Sequence, residues 1–212
     1  MDKKAQSNRR NFIKKSAIAT GSLMTITQAS WANPITEMSK ENLNIIGPKK
    51  GFTPQVGTLV SMMNFMRDIV LRPVYGMSVR DLDFLLDDKS NSIGAMLWHL
   101  AAVERFYQEN TFDGKKWDNL PAKESKLWNA ASDLGDKGRA KIKGYSLDFY
   151  LDLLKDVRAF SIAEMKTRDD DWLMKESHFW GGPMNNYAKW FHVVEHESNH
   201  NGQFKYIKNR IK

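Results

Sequence analysis

Apolar residues recur at every third or fourth position in four separate segments of the chain, with polar residues between them. This spacing is typical of amphipathic helices that bury one face. The first segment covers residues 56–70 and stops before Pro73, and the second follows the candidate N-cap residues 90–92. The third begins at Ser146, and the fourth follows the turn at residues 181–183. Because no stretch alternates strictly between apolar and polar residues, the pattern predicts an all-α fold.

The second and third predicted helices are joined by about 35 residues, with one short helical candidate near Lys123–Ala131. Short loops favour antiparallel neighbours, whereas a connection of this length can cross the bundle. The sequence therefore predicts a four-helix bundle with a long crossover connection between helices 2 and 3, which then run parallel.

The first 32 residues have the layout of an export signal. A basic stretch precedes a mildly apolar run, and the run closes on Ser30-Trp31-Ala32, with small residues at the cleavage position. Within the basic stretch, residues 8–14 (NRRNFIK) resemble the twin-arginine motif. We therefore predict a twin-arginine signal peptide at residues 1–32, a linker or arm at residues 33–55 and the bundle at residues 56–212. This predicts a periplasmic or otherwise exported protein, with the twin-arginine translocase as a partner during export and no stable membrane insertion after cleavage.

Most of the formal net charge of +7 belongs to the predicted signal. Residues 1–32 carry +5 and the rest of the chain carries +2, so the basic balance gives no reason to expect nucleic acid as a partner. The chain contains no cysteine. Disulfides, thiolate metal ligands and a cysteine nucleophile are therefore excluded.

Three of the five histidines, His192, His196 and His200, lie four residues apart in the fourth predicted helix. Helical residues four apart lie about 6 Å apart on nearly one face, so two such imidazoles can bind one ion, whereas eight residues span about 12 Å. The apolar stripe of this helix decides whether His192 or His200 is the partner of His196. It consists of Trp190, Val193, His196, His200, Phe204, Ile207 and Ile211. The sequence therefore favours His196 and His200 as ligands, with His192 and His196 as the alternative pair.

A third ligand has to come from another helix, and the remaining histidines are His99 and His178. His99 lies in the middle of an apolar helix face, whereas His178 precedes the glycine turn, so His99 is the better candidate. Glu104 is an alternative in a site with two histidines and one carboxylate. Glu195 and Glu197 are expected to be solvated or to hydrogen-bond a ligand. A third alternative is a bundle whose histidines pack in the core and bind no metal, because His-x-x-x-His occurs by chance in many helices.

Two stretches resemble the DinB-like superfamily of four-helix metal-binding bundles. They are residues 92–101 (SIGAMLWHLA) with Glu104, and residues 192–203, which end in His-x-x-x-His-x-Gly-Gln. The resemblance covers roughly residues 56–212, including the crossover. It implies that His99, His196 and His200 bind the metal and that His192 has a structural or substrate-side role. It also implies thiol-dependent transferase or isomerase chemistry with low-molecular-weight thiols.

The two residues that close this motif have physical interpretations of their own. Gly202 lacks a side chain and lets another backbone or a ligand approach the ligand turn, despite a cost of about 1 kcal/mol in a helix. Gln203, three residues after His200, has the spacing to reach a neighbouring helix or to form a hydrogen bond beside the site.

Three neutral imidazoles leave a coordination position open, which is typical of a catalytic zinc site. We therefore predict an exported metal-dependent enzyme, either a hydrolase or a small-thiol transferase, acting on an unknown small molecule. The alternative is a non-catalytic bundle that binds metal or a small ligand. The expected cofactor is a divalent metal ion, with zinc or nickel favoured over iron, copper or manganese. An enzyme would have a pocket beside the ion lined by groups such as Trp98, Tyr187 or Trp190. The sequence does not decide whether the protein forms a homodimer.

Overall fold

The structure of the protein is a computed structural model, which describes residues 42–115, 122–179 and 181–211. Its elements are, in chain order, α1 (Pro54–Leu71), a 3-10 turn (Arg72–Val74), α2 (Val79–Leu82), α3 (Ile93–Thr111), α4 (Ala122–Asp133), α5 (Gly135–Lys141), α6 (Leu147–Met165), α7 (Asp170–Met174), β1 (Glu176–Phe179), β2 (Gly182–Asn185) and α8 (Asn186–Lys208). The four long helices α1, α3, α6 and α8 correspond to the four predicted segments, and the all-α prediction of a four-helix bundle is confirmed.

The long helices begin at residues that satisfy exposed backbone N–H groups. Ser92, Ser146 and Asn185 each accept a hydrogen bond from the backbone N–H three residues later. A cap of this kind contributes about 1 kcal/mol to helix stability. Pro54 occupies the first turn of α1, where its missing N–H costs nothing. Local sequence therefore fixes where each helix starts.

Contacts between named residues give the direction of each helix. Gly94 of α3 lies against Tyr150 of α6, and Gln108 further along α3 donates to Ser161 further along α6. The two helices therefore run parallel, as the long connection predicted.

The fourth long helix runs against α3. Trp190, near the start of α8, donates from its indole nitrogen to Thr111 at the end of α3, whereas His200 and His99 meet near the other ends. This antiparallel arrangement brings the histidine-bearing middle of α8 against the first half of α3.

Two clusters of buried apolar residues fill the bundle. One includes Met96, Tyr150 and Phe204, and also takes in residues of α4. The other includes Leu59 and Trp190 and joins α1 and α7 to α8. The crossover helix α4 thereby becomes part of the core beside α3, which positions its backbone near the histidines.

Four buried charged residues, one from each long helix, form a group that we call the ion quartet. Its members are Arg67 of α1, Glu104 of α3, Arg158 of α6 and Glu197 of α8, and none is more than 6% exposed. Arg67 contacts both carboxylates, at 2.8 Å from Glu104 and 2.6 Å from Glu197. Arg158 likewise contacts both, at 2.8 and 2.9 Å. The quartet is electrically neutral, so each buried charge has a partner of opposite sign.

A two-stranded antiparallel hairpin corrects the expectation that no segment forms a strand. Glu176 of β1 lies opposite Asn185 of β2, and Phe179 lies opposite Gly182. The strands have four residues each, and three of the four residues of β1 are exposed. The alternation of apolar and polar residues, which is the sequence signal for a strand, is therefore missing from β1.

The predicted signal peptide at residues 1–32 and most of the predicted arm lie outside the described residues, so these predictions stay predictions. Residues 42–53, at the end of the arm, precede α1 without a helix or strand of their own. None of the helices in the described ranges is long and apolar enough to span a membrane.

Candidate metal centre

Three histidine side chains from two helices converge on one point. His99 comes from α3, and His196 and His200 come from neighbouring turns of α8. The Nε2 atom of His196 lies 3.1 Å from Nε2 of His99 and 3.0 Å from Nε2 of His200. One ligand nitrogen of each ring lies within 4.8 Å of the other two. The structure thus brings together the trio that the sequence selected.

Hydrogen bonds on the far side of two rings fix their orientation and protonation. Nδ1 of His99 donates to the carbonyl oxygen of Ala131 at 2.8 Å, and Nδ1 of His200 donates to Oε1 of Gln203 at 3.1 Å. A neutral imidazole carries one proton, so a proton on Nδ1 leaves Nε2 with an exposed lone pair. Both rings therefore present a metal-binding nitrogen to the shared centre.

The surroundings keep all three rings neutral. Burial lowers the pKa of His99, although hydrogen bonds to the carbonyls of Ala131 and Ser132 oppose this effect. Burial, reinforced by the neighbouring histidines, lowers the pKa of His196 to about 2. Burial and the proximity of His99 lower the pKa of His200 to about 4. At neutral pH the three rings are therefore uncharged, which is the state that binds metal.

The donor set fits a divalent metal ion. When neither Nε2 of His99 nor Nε2 of His200 carries a proton, the ring of His196 can donate a hydrogen bond to only one of them. At least two of the three Nε2 lone pairs then face each other without a proton between them. A cation at the centre would satisfy all three. Two zinc–nitrogen bonds of about 2.0–2.1 Å at a tetrahedral angle separate their nitrogens by about 3.3 Å, close to the two distances observed.

His192, the alternative partner of His196, lies beside the group and outside it. Its ring stacks on that of His196, with centroids 5.3 Å apart and planes 12° apart. Its Nδ1 lies 3.0 Å from the hydroxyl of Tyr107. Burial raises the pKa of Tyr107, so the phenol keeps its proton and donates it to Nδ1. The geometry therefore does not favour His192 and His196 as the ligand pair. His178, the other remaining histidine, is exposed on β1 and does not belong to the group.

Glu104 does not take the role of third ligand that the sequence left open. Both of its carboxylate oxygens accept hydrogen bonds from Arg158, one of them also from Arg67 and the other also from Ser161. Burial alone would raise the pKa of Glu104, but the two guanidinium groups outweigh this effect and lower it. The carboxylate is thereby committed to the ion quartet.

The other two glutamates of α8 have different surroundings. Glu197 is buried in the ion quartet, which corrects the expectation of a solvated group or a partner of a ligand. Glu195 is 45% exposed at its side chain, with one oxygen 3.9 Å from Nε2 of His192. Only Glu195 therefore agrees with a solvated position.

The aromatic residues expected to line a pocket beside the ion have other surroundings. Trp190 is fully buried. Trp98 is 5% exposed and packs edge-on against Trp128 and Tyr145. Tyr187 is only partly buried and packs against the core cluster of α1 and α8. These two tryptophans therefore belong to the core.

Two contacts of the site were missed by the sequence interpretation. The carbonyl of Ala131 orients His99 from the crossover helix, and a backbone carbonyl leaves no mark in a sequence. Tyr107 contacts His192, and it lies eight residues after His99 on the same face of α3. Helical spacing could therefore have indicated Tyr107 but not Ala131.

Comparisons with known proteins concern the family and the fold of the chain. A family model described as mycothiol-S-transferase matches residues 58–212, well over half of the chain. Among solved structures, the chain is similar to a conserved protein from Enterococcus faecalis, with 16% identity and a TM-score of 0.55. That match covers 71% of this chain and 92% of the other, and at this identity it concerns the fold alone. No protein of curated function matches significantly.

Proposed function

This chain belongs to the mycothiol-S-transferase family, and we propose that it is a metal-dependent enzyme that transfers a low-molecular-weight thiol to an electrophilic small molecule. The observation that carries the proposal is the convergence of three Nε2 atoms from His99, His196 and His200. The chain has no cysteine, so the sulfur nucleophile would come from the thiol substrate.

In this proposal the three histidines hold a divalent metal ion, and zinc or nickel is favoured over iron, copper or manganese. When bound, the ion supplies Lewis acidity and favours the thiolate form of a thiol at neutral pH. The histidines add no charge of their own, so an anionic nucleophile keeps the full attraction of the divalent centre. No carboxylate belongs to the described histidine group to weaken that attraction.

The surrounding residues orient the ligands and hold protons in place. Ala131 and Gln203 each accept the Nδ1 proton of a ligand ring, which fixes where that ring points. Tyr107 donates to Nδ1 of His192, so the proton of that neutral ring resides on Nε2. We place His192 on the substrate side of the centre, because its ring covers one face of His196.

A conjugation assay with the metal-loaded full chain tests the proposal. Monochlorobimane serves as the electrophile, and cysteine, N-acetylcysteine and glutathione serve as separate probe thiols. We expect metal-dependent fluorescence with at least one thiol, and a loss of at least a hundredfold in His200→Ala. Stoichiometric metal binding without conjugation of any of the three thiols would point instead to a non-catalytic metal-binding bundle.

We also propose that the chain is exported by the twin-arginine route, on the strength of residues 8–14. The experiment is fractionation of cells that express the full chain, compared with a variant in which Arg9 and Arg10 are both lysine. The expected result is a shortened product outside the cytoplasm for the natural sequence only. A full-length cytoplasmic product from both chains would contradict the proposal.

A further inference from the structure

A cleft of about 310 Å³ lies between α2 and the residues that follow α8, and we name it the arginine cleft. Its volume is near the lower limit of small-molecule sites, which is about 300 Å³. The described residues of its wall are Arg80, Phe84, Arg210 and Ile211. None of them belongs to the histidine group, and the end of α8 lies about 12 Å beyond His200 along the helix axis. The cleft is therefore a candidate site separate from the metal centre.

The two arginines of the cleft form no ion pair with a carboxylate of a described residue. Arg80 lies in α2 and Arg210 follows the end of α8, so only the fold brings their positive charges to one place. None of the ion pairs between described residues includes either of them. A guanidinium group prefers a carboxylate or a phosphate, which it contacts with two parallel N–H groups. An anion from outside the protein is thus the partner that both groups lack.

The acidic side chains on the α2 side of the cleft are committed to other groups. Oδ2 of Asp81 accepts hydrogen bonds from the backbone N–H and the hydroxyl of Ser78. These bonds, with a smaller contribution from Arg80, lower the pKa of Asp81. Oδ2 of Asp83 accepts a hydrogen bond from the backbone N–H of Gly144 at 2.7 Å. Neither carboxylate therefore neutralises the two guanidinium groups at close range.

The guanidinium group of Arg210 is held in place by one neighbouring tyrosine. Its Cζ lies 3.5 Å from the centroid of the Tyr206 ring, and its Nη1 donates to the carbonyl oxygen of Tyr206 at 2.9 Å. A guanidinium group has five N–H donors, so this bond leaves several for a ligand. Lys208 adds a third positive charge at the same end of α8, although its Nζ donates to the carbonyl oxygen of Pro73. An oriented cationic group loses less freedom when a ligand binds, which favours affinity.

The rest of the described wall is apolar. Phe84 and Ile211 are partly buried and pack against the core cluster that contains Met96. They give the cleft an aromatic and a branched aliphatic surface beside the two guanidinium groups. A cation would be repelled here, and a neutral apolar molecule would make no use of the charges. An inorganic anion would leave the apolar surfaces in contact with water. The lining suits an organic anion that carries an apolar group.

We propose that the arginine cleft binds a small organic dianion, such as the phosphate monoester of an aromatic or branched aliphatic alcohol. The phosphate group contacts the two guanidinium groups, whose charges it matches. The apolar group packs between Phe84 and Ile211. The proposal is independent of the transferase activity, because the cleft shares no residue with the histidine group.

Calorimetric titration of the metal-loaded full chain with phenyl phosphate tests the proposal. Inorganic phosphate, benzyl alcohol and benzylamine are the comparison probes, because each lacks either the apolar ring or the negative charge. We expect saturable binding of phenyl phosphate in the millimolar range at low salt, and binding of each comparison probe that is weaker by about fivefold or more. Binding of any comparison probe as tight as that of phenyl phosphate, or no saturable binding of phenyl phosphate, would overturn the proposal.

Arg80→Gln and Arg210→Gln locate the binding in the cleft. Both side chains are exposed, so both variants are expected to fold and to keep their metal. Each should bind phenyl phosphate more weakly by about fivefold or more, because one charge-assisted contact is lost. Arg72→Gln is the matched control, since it removes the same charge from an exposed arginine outside the cleft. Equal weakening by Arg72→Gln and Arg80→Gln would show that net charge, and not the cleft, determines binding.

His200→Ala separates the cleft from the metal centre, because phosphate groups also bind metal ions. This variant is expected to lose metal and to bind phenyl phosphate as tightly as the natural chain, since the cleft needs no ion. Loss of phenyl phosphate binding in His200→Ala would place the phosphate on the metal and overturn the proposal.

Discussion

Two hydrogen bonds at the rear of the imidazole rings determine what the histidines can do. Ala131 accepts the Nδ1 proton of His99, and Gln203 accepts that of His200. The Nε2 lone pairs of His99 and His200 are therefore free, and both point towards Nε2 of His196. Without a cation this arrangement brings lone pairs together, and with a cation the same arrangement becomes a ligand set. The geometry of these three side chains is thus that of a group that could hold a metal ion.

The first prediction concerns metal content. His99→Ala and His200→Ala are each expected to reduce bound metal from about one ion per chain to well under half, because two ligands seldom form a tight site. His192→Ala is the matched control, since it lies beside the group and is expected to keep its metal. Elemental analysis after gel filtration measures the outcome. Loss of metal from His192→Ala but not from His200→Ala would show that the ligand pair on α8 has been chosen wrongly.

The second prediction concerns the metal-free protein in acid. The folded pKa values of His196 and His200 are lowered to about 2 and about 4, whereas an unfolded histidine titrates near 6.5. Between pH 6.5 and pH 4 the unfolded chain therefore binds protons that the folded chain does not, and acid favours unfolding. The free energy of unfolding is expected to fall across this window, as measured by urea denaturation at several pH values.

A double variant with His196→Gln and His200→Gln provides the comparison for the acid experiment. It lacks both titrating rings, so its stability should depend less on pH between 6.5 and 5, above the usual range of carboxyl groups. The same slope in both proteins would mean that these two rings are not the source of the acid sensitivity.

Helix α3 approaches α6 closely enough that one glycine decides the spacing. A Cβ atom on Gly94 would lie 2.7 Å from the hydroxyl oxygen of Tyr150 and 3.0 Å from Cζ. Tyr150 is fully buried and packs against the rings of Tyr145 and Phe149, so it has little room to move. The parallel pairing of the two helices therefore depends on the absence of a side chain here.

The third prediction compares two glycines that both lie inside helices. Gly94→Ala is expected to destabilise the protein by about 1–2 kcal/mol, because overpacking costs more than the gain in helix propensity. Gly202→Ala is expected to stabilise it by about 0.5–1 kcal/mol, because its Cβ meets nothing within 4 Å. Thermal and urea unfolding of both variants decide the matter. Equal effects of the same sign would show that the close approach of α3 and α6 has no energetic weight.

The elements differ in how much the sequence reveals about them. Helix starts could be predicted at Ser92 and Ser146, because a cap and the apolar spacing that follows are both local. The β1–β2 hairpin could not, because β1 is mostly exposed and neither strand alternates regularly between buried and exposed positions. The trio of His99, His196 and His200 could be selected because all three occupy apolar helix faces. The partners that orient them belong to tertiary contacts, which no local pattern records.

Across the whole molecule the ion quartet joins all four long helices. Sequence interpretation missed it because charged residues are usually exposed, although Arg67 continues the apolar stripe of α1, four residues after the buried Met63. Arg158 holds the quartet together by three contacts to carboxylate oxygens and one to the backbone carbonyl of Met63. Its guanidinium therefore bridges both buried carboxylates, as that of Arg67 does.

The fourth prediction concerns this guanidinium. Arg158→Met is expected to lower the free energy of unfolding by about 3–5 kcal/mol, because Glu104 and Glu197 would share a single buried arginine. Arg72→Met is the matched control, since Arg72 forms an exposed pair with Asp68 and its loss should cost only about 0–1 kcal/mol. Urea denaturation measures both. A cost for Arg158→Met no larger than for Arg72→Met would contradict the importance of the quartet.

The ion quartet also restricts how the helices can slide along one another. An apolar core tolerates displacement, because one aliphatic side chain can replace another of similar size. A slip of α8 by a single turn, about 5.4 Å, would instead separate Glu197 from both arginines and leave three buried charges mismatched. Because Glu197 directly follows His196 in the chain, the same lock sets the axial alignment of α8 that places His196 and His200 opposite His99.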